Sequence, residues 1–459
     1  MHPIAPRLAF LLDGPEATGI YVRMTSRWLF RLLATLFLLL TSVPQLSAAD
    51  ALERYVAAPD AAYKWKIKDS ETTNGFTIAT LSMTSQTWRT SAWTHIVQIV
   101  RPEKMRHPEI ALLFVTGDGS NKGYIPMLAK MASEAGAMAA FVTRVPNQPL
   151  YGGKKEDALI AYTFDQFLRT GDDTWPALLP MVKSAVRAMD TVQAYAKQEH
   201  QEKIEKFVIS GASKRGWTTW LTGAVDPRVA AIAPMVIDML NMKAQAQWAE
   251  KVYGKQSDQI SDYTRLDLLA HMDDTRMVEM RGFVDPWSYR ARYKNIPKLL
   301  LLGTNDPYWT VDSLRHYWND LPGEKLVCQT PNAGHDLGGG LQAMAALAAF
   351  FQMIADQEEL PKVEWTFSAG DKPHLHMKVN RHAKAIRLWT ADSTDRDFRN
   401  DRWTNRELEV KPGSAIADSD MEKPATGYRA FMGEVILTNR FGHEFKLSTQ
   451  VQVVPDEGK

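Results

Sequence analysis

KFVISGASKRGWTTWL, residues Lys206–Leu221, is the stretch on which the reading of this chain turns. An apolar run with β-branched members (Phe207, Val208, Ile209) passes into small residues (Ser210, Gly211, Ala212) and then Ser213. After Lys214, Arg215 and Gly216 comes a helix-like run, Trp217 to Leu221. That is strand, sharp turn and helix, the layout that lifts a serine hydroxyl clear of a sheet as a nucleophile. The turn strains the backbone at the serine, so its flanks must be small. Gly211 and Ala212 meet that need on one side and Gly216 on the other. Arg215 stands where the motif usually has its second glycine and departs from it. The same string also reads as a small-residue turn with Ser213 as an ordinary helix N-cap, and taken alone it does not decide.

Two later stretches bear on the choice. Ile296–Pro307 (IPKLLLLGTNDP) is a buried strand followed by a polar turn that ends in Asp306. Lys325–Gly340 (KLVCQTPNAGHDLGGG) is a strand followed by a glycine-flanked loop carrying His335. The order Ser213, Asp306, His335, each just past a strand, is the order of α/β-hydrolases. Asp238, which follows the strand Val229–Ile237, competes for the acid role. Asp306 is favoured because it lies nearer the expected strand in chain order. Asp312 and Asp336 read as a helix start and a turn residue.

Around these residues a pocket can be sketched. Ile110–Thr116 (IALLFVT) is apolar enough for a strand buried on both faces, and Gly117-Asp118-Gly119-Ser120-Asn121 follows it. In an α/β-hydrolase this loop donates one oxyanion-hole N–H and the residue after the nucleophile donates the other. That makes Gly119, Asp118 and Lys214 candidates, against the plainer reading of a flexible glycine turn. The loop Pro146–Gly153, with Tyr151, leaves a strand end and is expected to line the cleft. Tyr308 and Trp309 follow the acid and are expected to wall the pocket. Residues 241–295 form a long helix-prone insertion, read as a lid. Its aromatics, Trp248 among them, either bind substrate or pack the lid onto the core. Lys214 and Arg215 would suit a substrate carboxylate unless they point to solvent.

The remaining chain fits a doubly covered sheet. Asp50–Tyr63 reads as a short helix and turns, and Phe76–Trp88 with Trp93–Val100 as an antiparallel strand pair. Strands and helices then alternate from Ile110 to Phe351, with Pro180–Gln198 a clear amphipathic helix, which indicates a largely parallel sheet. After Glu359 six short strands with turn residues between them read as an immunoglobulin-like sandwich. Its tryptophans, Trp365, Trp389 and Trp403, are either core or a sugar-facing surface. The expected fold class is therefore α/β: an α/β-hydrolase fold, with a mostly parallel sheet flanked by helices and a helical insertion before the acid strand, plus a C-terminal all-β immunoglobulin-like sandwich. The expected domains are residues 50–359 and 360–459.

Residues 1–49 read as an N-terminal extension and export signal. Arg27 and Arg31 precede the apolar run Leu32–Leu40, and Ser47-Ala48-Ala49 offers a cleavage site before Asp50. The run is short for a span of ~20 residues, and Met24 is a second possible start. The chain beyond residue 49 carries 50 basic and 51 acidic residues, a formal charge of −1. That excludes a charge-driven nucleic-acid or anionic-membrane partner. The single cysteine, Cys328, permits no internal disulfide and reads as a small core residue. No Cys-x-x-Cys or His-x-x-x-His pattern suggests a metal, and no cofactor is expected.

Several strings together resemble the PhoPQ-activated pathogenicity-related proteins: LSMTSQTWR (Leu81–Arg89), VTGDGSN (Val115–Asn121), Ser210–Asp238, GTNDPYW (Gly303–Trp309), NAGHDL (Asn332–Leu337) and IRLWTADSTDRDFRNDRW (Ile386–Trp403). The resemblance covers nearly all of Leu52–Pro455 and extends to secreted autocrine proliferation repressor proteins. It implies an exported α/β-hydrolase-like protein with a C-terminal β domain and Ser213, Asp306 and His335 as its triad. It implies no settled substrate. The expected function is an exported, periplasmic or secreted serine hydrolase acting on a small-molecule or peptide ester or amide. The alternative is a non-enzymatic secreted binding or signalling protein on a hydrolase scaffold.

Overall fold

A computed structural model describes residues 50–118, 121–368, 372–410 and 415–456. The expected export signal and Gly119 lie outside the described residues. Nine strands form the main sheet: β1 (Lys64–Thr73), β2 (Phe76–Trp88), β3 (Ser91–Pro102), β4 (Ile110–Val115), β5 (Met138–Val142), β6 (Lys206–Ala212), β7 (Val229–Met235), β8 (Lys298–Gly303) and β9 (Lys325–Thr330). Their order is β1-β2-β3-β5-β4-β6-β7-β8-β9. The first three are antiparallel and β5 runs antiparallel to β3. From β5 to β9 every pairing is parallel. This is the α/β-hydrolase topology, with the central strands apolar throughout because helices cover both faces.

The helices are α1 (Ala51–Ala57), α2 (Ile125–Ala135), α3 (Glu156–Thr170), α4 (Leu178–His200), α5 (Lys214–Val225), α6 (Met242–Tyr253), α7 (Thr275–Val284) and α8 (Leu341–Ala355). The strand pleat sends alternate residues to opposite faces. Leu113 and Ile209 therefore join the core with α4 and α5, while Leu112 and Val208 join the core with α2 and α8. Each such fully buried side chain contributes about 1.5–3 kcal/mol of transfer free energy. Cys328 is one of these residues, and burial pushes its thiol up to about 12, so it is inert at neutral pH.

β1 is not foreseen in the sequence. KWKIKDSETT is largely exposed at the open sheet edge, where lysines discourage pairing with another chain. The insertion is helical as expected, with α6, a single turn at Ser261–Thr264, α7 and a 3-10 stretch at Pro286–Asn295. Its two ends are stapled by Asp285, which accepts from the N–H groups of Met242 (2.8 Å), Trp287 (2.9 Å) and Asn241 (3.3 Å).

The chain after α8 is all β: β10 (Val363–Ser368), β11 (His374–Val379), β12 (Ala385–Ser393), β13 (Thr404–Glu407), β14 (Ile416–Asp420), β15 (Tyr428–Thr438), β16 (Glu444–Ser448) and β17 (Gln452–Val454). β10-β11-β14 form one antiparallel sheet; β13-β12-β15-β16, with β17 on β15, form a second. They meet through contacts such as Phe367 edge-on to Phe431. This region does not stand apart. Leu375, Phe431 and Leu447 share a core with Leu326 and Phe351 of the hydrolase region. Trp403 is buried and Trp365 stacks on Trp318 at 5.4 Å, so both tryptophans serve packing.

Candidate active site

Ser213 sits between β6 and α5 at φ 59, ψ −125. A non-glycine residue there costs about 1–3 kcal/mol and persists only where its surroundings impose it. Its N–H donates to Met235 O at 2.9 Å and its carbonyl accepts from Trp217 N at 2.9 Å. Its side chain makes no capping bond, so the N-cap alternative is not realised. The small neighbours are sterically required. A Cβ on Gly211 would lie 2.9 Å from the Arg215 Cβ, and one on Gly216 would lie 2.7 Å from Ile237 Cγ2. The second glycine of the turn is thus Gly216, and the bare Gly211 makes room for Arg215.

Asp306 and His335 meet. The His335 Nδ1 and Asp306 Oδ2 lie 2.8 Å apart, and Asp306 Oδ1 accepts from the Tyr308 N–H at 2.9 Å. Asp306 is only 5% exposed. The imidazole lies on the Tyr308 ring, with centroids 4.3 Å apart and planes at 32°. Its Nε2 is buried and makes no hydrogen bond. In substrate-free sites the base-to-nucleophile bond is commonly open. Asp238 is not the partner of His335. It is buried and accepts from the Tyr317 hydroxyl at 2.6 Å. Burial pushes its carboxyl up to about 7, against the Tyr317 bond and with the charges of Asp306 and Asp312. Asp312 leads into a 3-10 turn and Asp336 caps one, as read from sequence.

Lys214 and Arg215 are both buried, so neither points to solvent; Lys214 lines the Ser213 pocket, and both are ion-paired. Lys214 Nζ lies 2.7 Å from Asp157 Oδ2. The Arg215 guanidinium makes a two-pronged pair with Glu156 at 2.7 Å on each prong, and its Nε donates to Val145 O at 2.5 Å. Burial alone would raise the Glu156 carboxyl, but Arg215 outweighs it and brings it down to about 2. Arg215 also fills the space over Gly117, where a Cβ would fall 2.3 Å from its Nη2. Gln148 continues the network, donating to Glu156 (2.6 Å) and to Asp118 (3.1 Å). Arg215 therefore ties the serine turn to the loops after β4 and β5. The first of these holds the oxyanion candidate Asp118. The other candidate donor, the Lys214 N–H, opens α5, where main-chain donors have no helical partner.

A pocket of about 110 Å³ is lined by Ser213, Trp217, Ile237, Met239, Tyr308 and Trp309, and the insertion roofs it with Met242, Ala246, Ile260 and Met272. The expected lining residues Tyr308 and Trp309 are in place; Trp248 and Tyr151 are not. Trp248 donates to Asp312 at 3.0 Å and carries the Arg315 and Arg396 guanidiniums over its ring at 4.4 and 4.9 Å, so it packs the lid. Tyr151 belongs to an aromatic cluster with Trp88, Tyr162 and Trp175. Sequence reasoning missed Asp157, which lines the pocket and accepts from Tyr263 (3.0 Å) and Tyr308 (3.4 Å). Acids in a helix's first turn suggest only dipole compensation, so Glu156 and Asp157 carried no separate signal. Among the described residues no cluster of His, Cys, Asp or Glu is placed to hold a metal ion.

Comparison with known proteins gives three findings. The family model for PhoPQ-activated pathogenicity-related protein matches residues 52–399. The chain is 31% identical to autocrine proliferation repressor protein A of Dictyostelium discoideum, over 92% of this chain and 94% of that one. Among solved structures it is similar to acetyl xylan esterase 1 from Thermoanaerobacterium sp. JW/SL YS485 (16% identity, 66% of this chain, 91% of that one, TM-score 0.47). A second is an acetyl xylan esterase from Paenibacillus sp. R4 (14% identity, 66% and 96%, TM-score 0.47).

Proposed function

The chain belongs to the PhoPQ-activated pathogenicity-related protein family, and from that premise we propose that it is an exported serine hydrolase acting by acyl transfer on an uncharged ester or amide. The observation that carries this reading is Ser213. It is a strained, uncapped serine on a strand–helix turn, and it shares a pocket with the tyrosine on which the Asp306–His335 pair rests.

In the proposed reaction the Ser213 oxygen bonds to the substrate carbonyl carbon while His335 Nε2 takes the hydroxyl proton. Asp306 holds the Nδ1–H and stabilises the imidazolium. The oxyanion is met by the Lys214 N–H and the loop after β4, each donor worth about 3 kcal/mol. The bond from the carbonyl carbon to the leaving group breaks and His335 returns the proton to that group. Water, deprotonated by His335, then releases the acid and restores Ser213. The basic side chains beside the serine are already paired with Glu156 and Asp157, and the walls are largely apolar. Both features support a small neutral acyl group over a carboxylate. Export rests on the residue 27–49 pattern. Among the described residues no helix is long and apolar enough to cross a membrane.

The test is labelling by a fluorophosphonate, read by intact mass, beside hydrolysis of p-nitrophenyl acetate. One adduct and turnover on the parent, and neither on Ser213→Ala, is the expected result. An unlabelled, inactive but folded parent refutes the proposal. It would favour a secreted signal on a hydrolase scaffold, the second reading, for which the repressor name of the 31%-identical relative speaks.

A further inference from the structure

The loops bearing Asp306 and His335 are locked to each other. The Asn305 N–H donates to Ala333 O at 2.9 Å, and the Asn332 N–H donates to Thr304 Oγ1 at 3.0 Å. They pack so closely that a Cβ on Gly303 would fall 2.4 Å from Ala333 O. The same two loops are also tied to residues 398–403, between β12 and β13. The Asn305 side-chain NH2 shares its two hydrogens among three carbonyls: Asp401 (2.8 Å), Phe398 (3.0 Å) and Arg399 (3.2 Å). Its oxygen accepts from Thr304 Oγ1 at 2.7 Å, which fixes which end of the amide faces the carbonyls. Asn332 makes a reciprocal pair with the Trp403 backbone: its NH2 donates to Trp403 O at 3.0 Å and its oxygen accepts from Trp403 N at 2.8 Å.

The anchoring segment is itself well held. Phe398 and Trp403 are each 1% exposed, and Arg399 lies over the Tyr253 ring of α6 at 4.3 Å. We propose that the C-terminal β region is a positioning element of the reaction centre. Residues 398–403 set the acid and histidine loops through Asn305 and Asn332. The proposal rests on the reading of Asp306 and His335 as partners of Ser213. The Asp306–His335 bond spans two loops, each one residue or a few residues from an asparagine clamped to one segment. A shift of either loop by a fraction of an ångström therefore misaligns that bond, and misplacement of about 1 Å is worth up to ~100-fold in rate. Neither asparagine touches a reacting atom, so both are positioning residues.

The test uses the whole chain, because the β region shares its core with the hydrolase region and deleting it would expose that core. Asn305→Ala and Asn332→Ala are compared with the parent, and Thr304→Val, which leaves both asparagine side chains in place but removes the hydroxyl that holds the Asn305 amide and accepts from the Asn332 N–H, is the third variant. Four quantities are read: the thermal midpoint, kcat and KM for p-nitrophenyl acetate, and the downfield proton resonance of the His335 Nδ1–H, assigned by its loss in His335→Ala. Folded variants are expected to lose or shift that resonance and to drop kcat about 10–100-fold, with KM within about twofold. Folded variants that keep both the resonance and the parent kcat overturn the proposal. A parent without Ser213-dependent turnover would sink the hydrolase reading instead, and the resonance would still judge the clasp.

Discussion

Replacing Asp238 with asparagine should change how stability depends on pH, by an amount the structure sets. Burial raises this carboxyl from 3.8 to about 7, and each unit corresponds to about 1.4 kcal/mol between protonation states. The folded protein holds the proton between about pH 4 and 7, where the unfolded chain has released it. The contribution is therefore fully present below about pH 4, declines by up to ~1.4 kcal/mol per unit, and is lost above about 7. The total is on the order of 4 kcal/mol. Asparagine keeps an acceptor for the Tyr317 hydroxyl and has no proton to lose. Urea midpoints of parent and Asp238→Asn, measured every half unit from pH 4.5 to 8, should show the variant gaining on the parent up to about pH 7 and a constant difference above it. Asp285, raised to about 6 by burial against its three backbone donors, tilts both proteins alike and cancels in the difference. Parallel curves would refute the assignment of Asp238 as a carboxyl kept neutral by burial.

Arg215→Met should destabilise by about 2 kcal/mol, less than for a fully buried pair because the Glu156 side chain is 39% exposed; chemical denaturation measures it. Gly117→Ala should cost more in kcat than in stability, since its Cβ would collide with the Arg215 guanidinium and displace the loop after β4. Equal kcat in that variant would detach the loop from catalysis. N-terminal sequencing of the exported protein should begin at Asp50, whose backbone N–H and side chain form the capping box of α1 with Glu53; retention of residues 1–49 would refute cleavage there.

How far the fold was legible follows from where each strand lies. β4, β5 and β8 are buried almost along their whole length, so their sequences are continuous apolar runs that two covered faces demand. β1 has one exposed edge and β14 alternates in a short polar stretch, IADSD. Neither carries enough apolar residues to stand out; β1 is held by a hairpin pairing with β2, and β14 by pairing with β11, some forty residues away. The serine turn was legible because its steric demands are local: Gly211 and Gly216 answer contacts within five residues of Ser213 or on the adjoining β7 end.

The charges and aromatics around the site were not legible, for the opposite reason. A lysine and an arginine beside a nucleophile read as substrate binders until their partners are known, and Glu156 and Asp157 stand nearly sixty residues away. Trp248 reads equally as a substrate contact or as lid packing until Asp312, Arg315 and Arg396 are found against it. Asn305 and Asn332 read as turn residues, because asparagine tolerates turn geometry anywhere. Only the folded chain brings the 398–403 carbonyls and the Trp403 N–H to them. A residue chosen for its backbone can be recognised in sequence, whereas a residue chosen for a distant hydrogen bond cannot. Ser213 is of the first kind, and the groups that orient Asp306 and His335 are of the second. The alignment of this site is accordingly a property of the whole fold, β region included, rather than of the motifs that mark it.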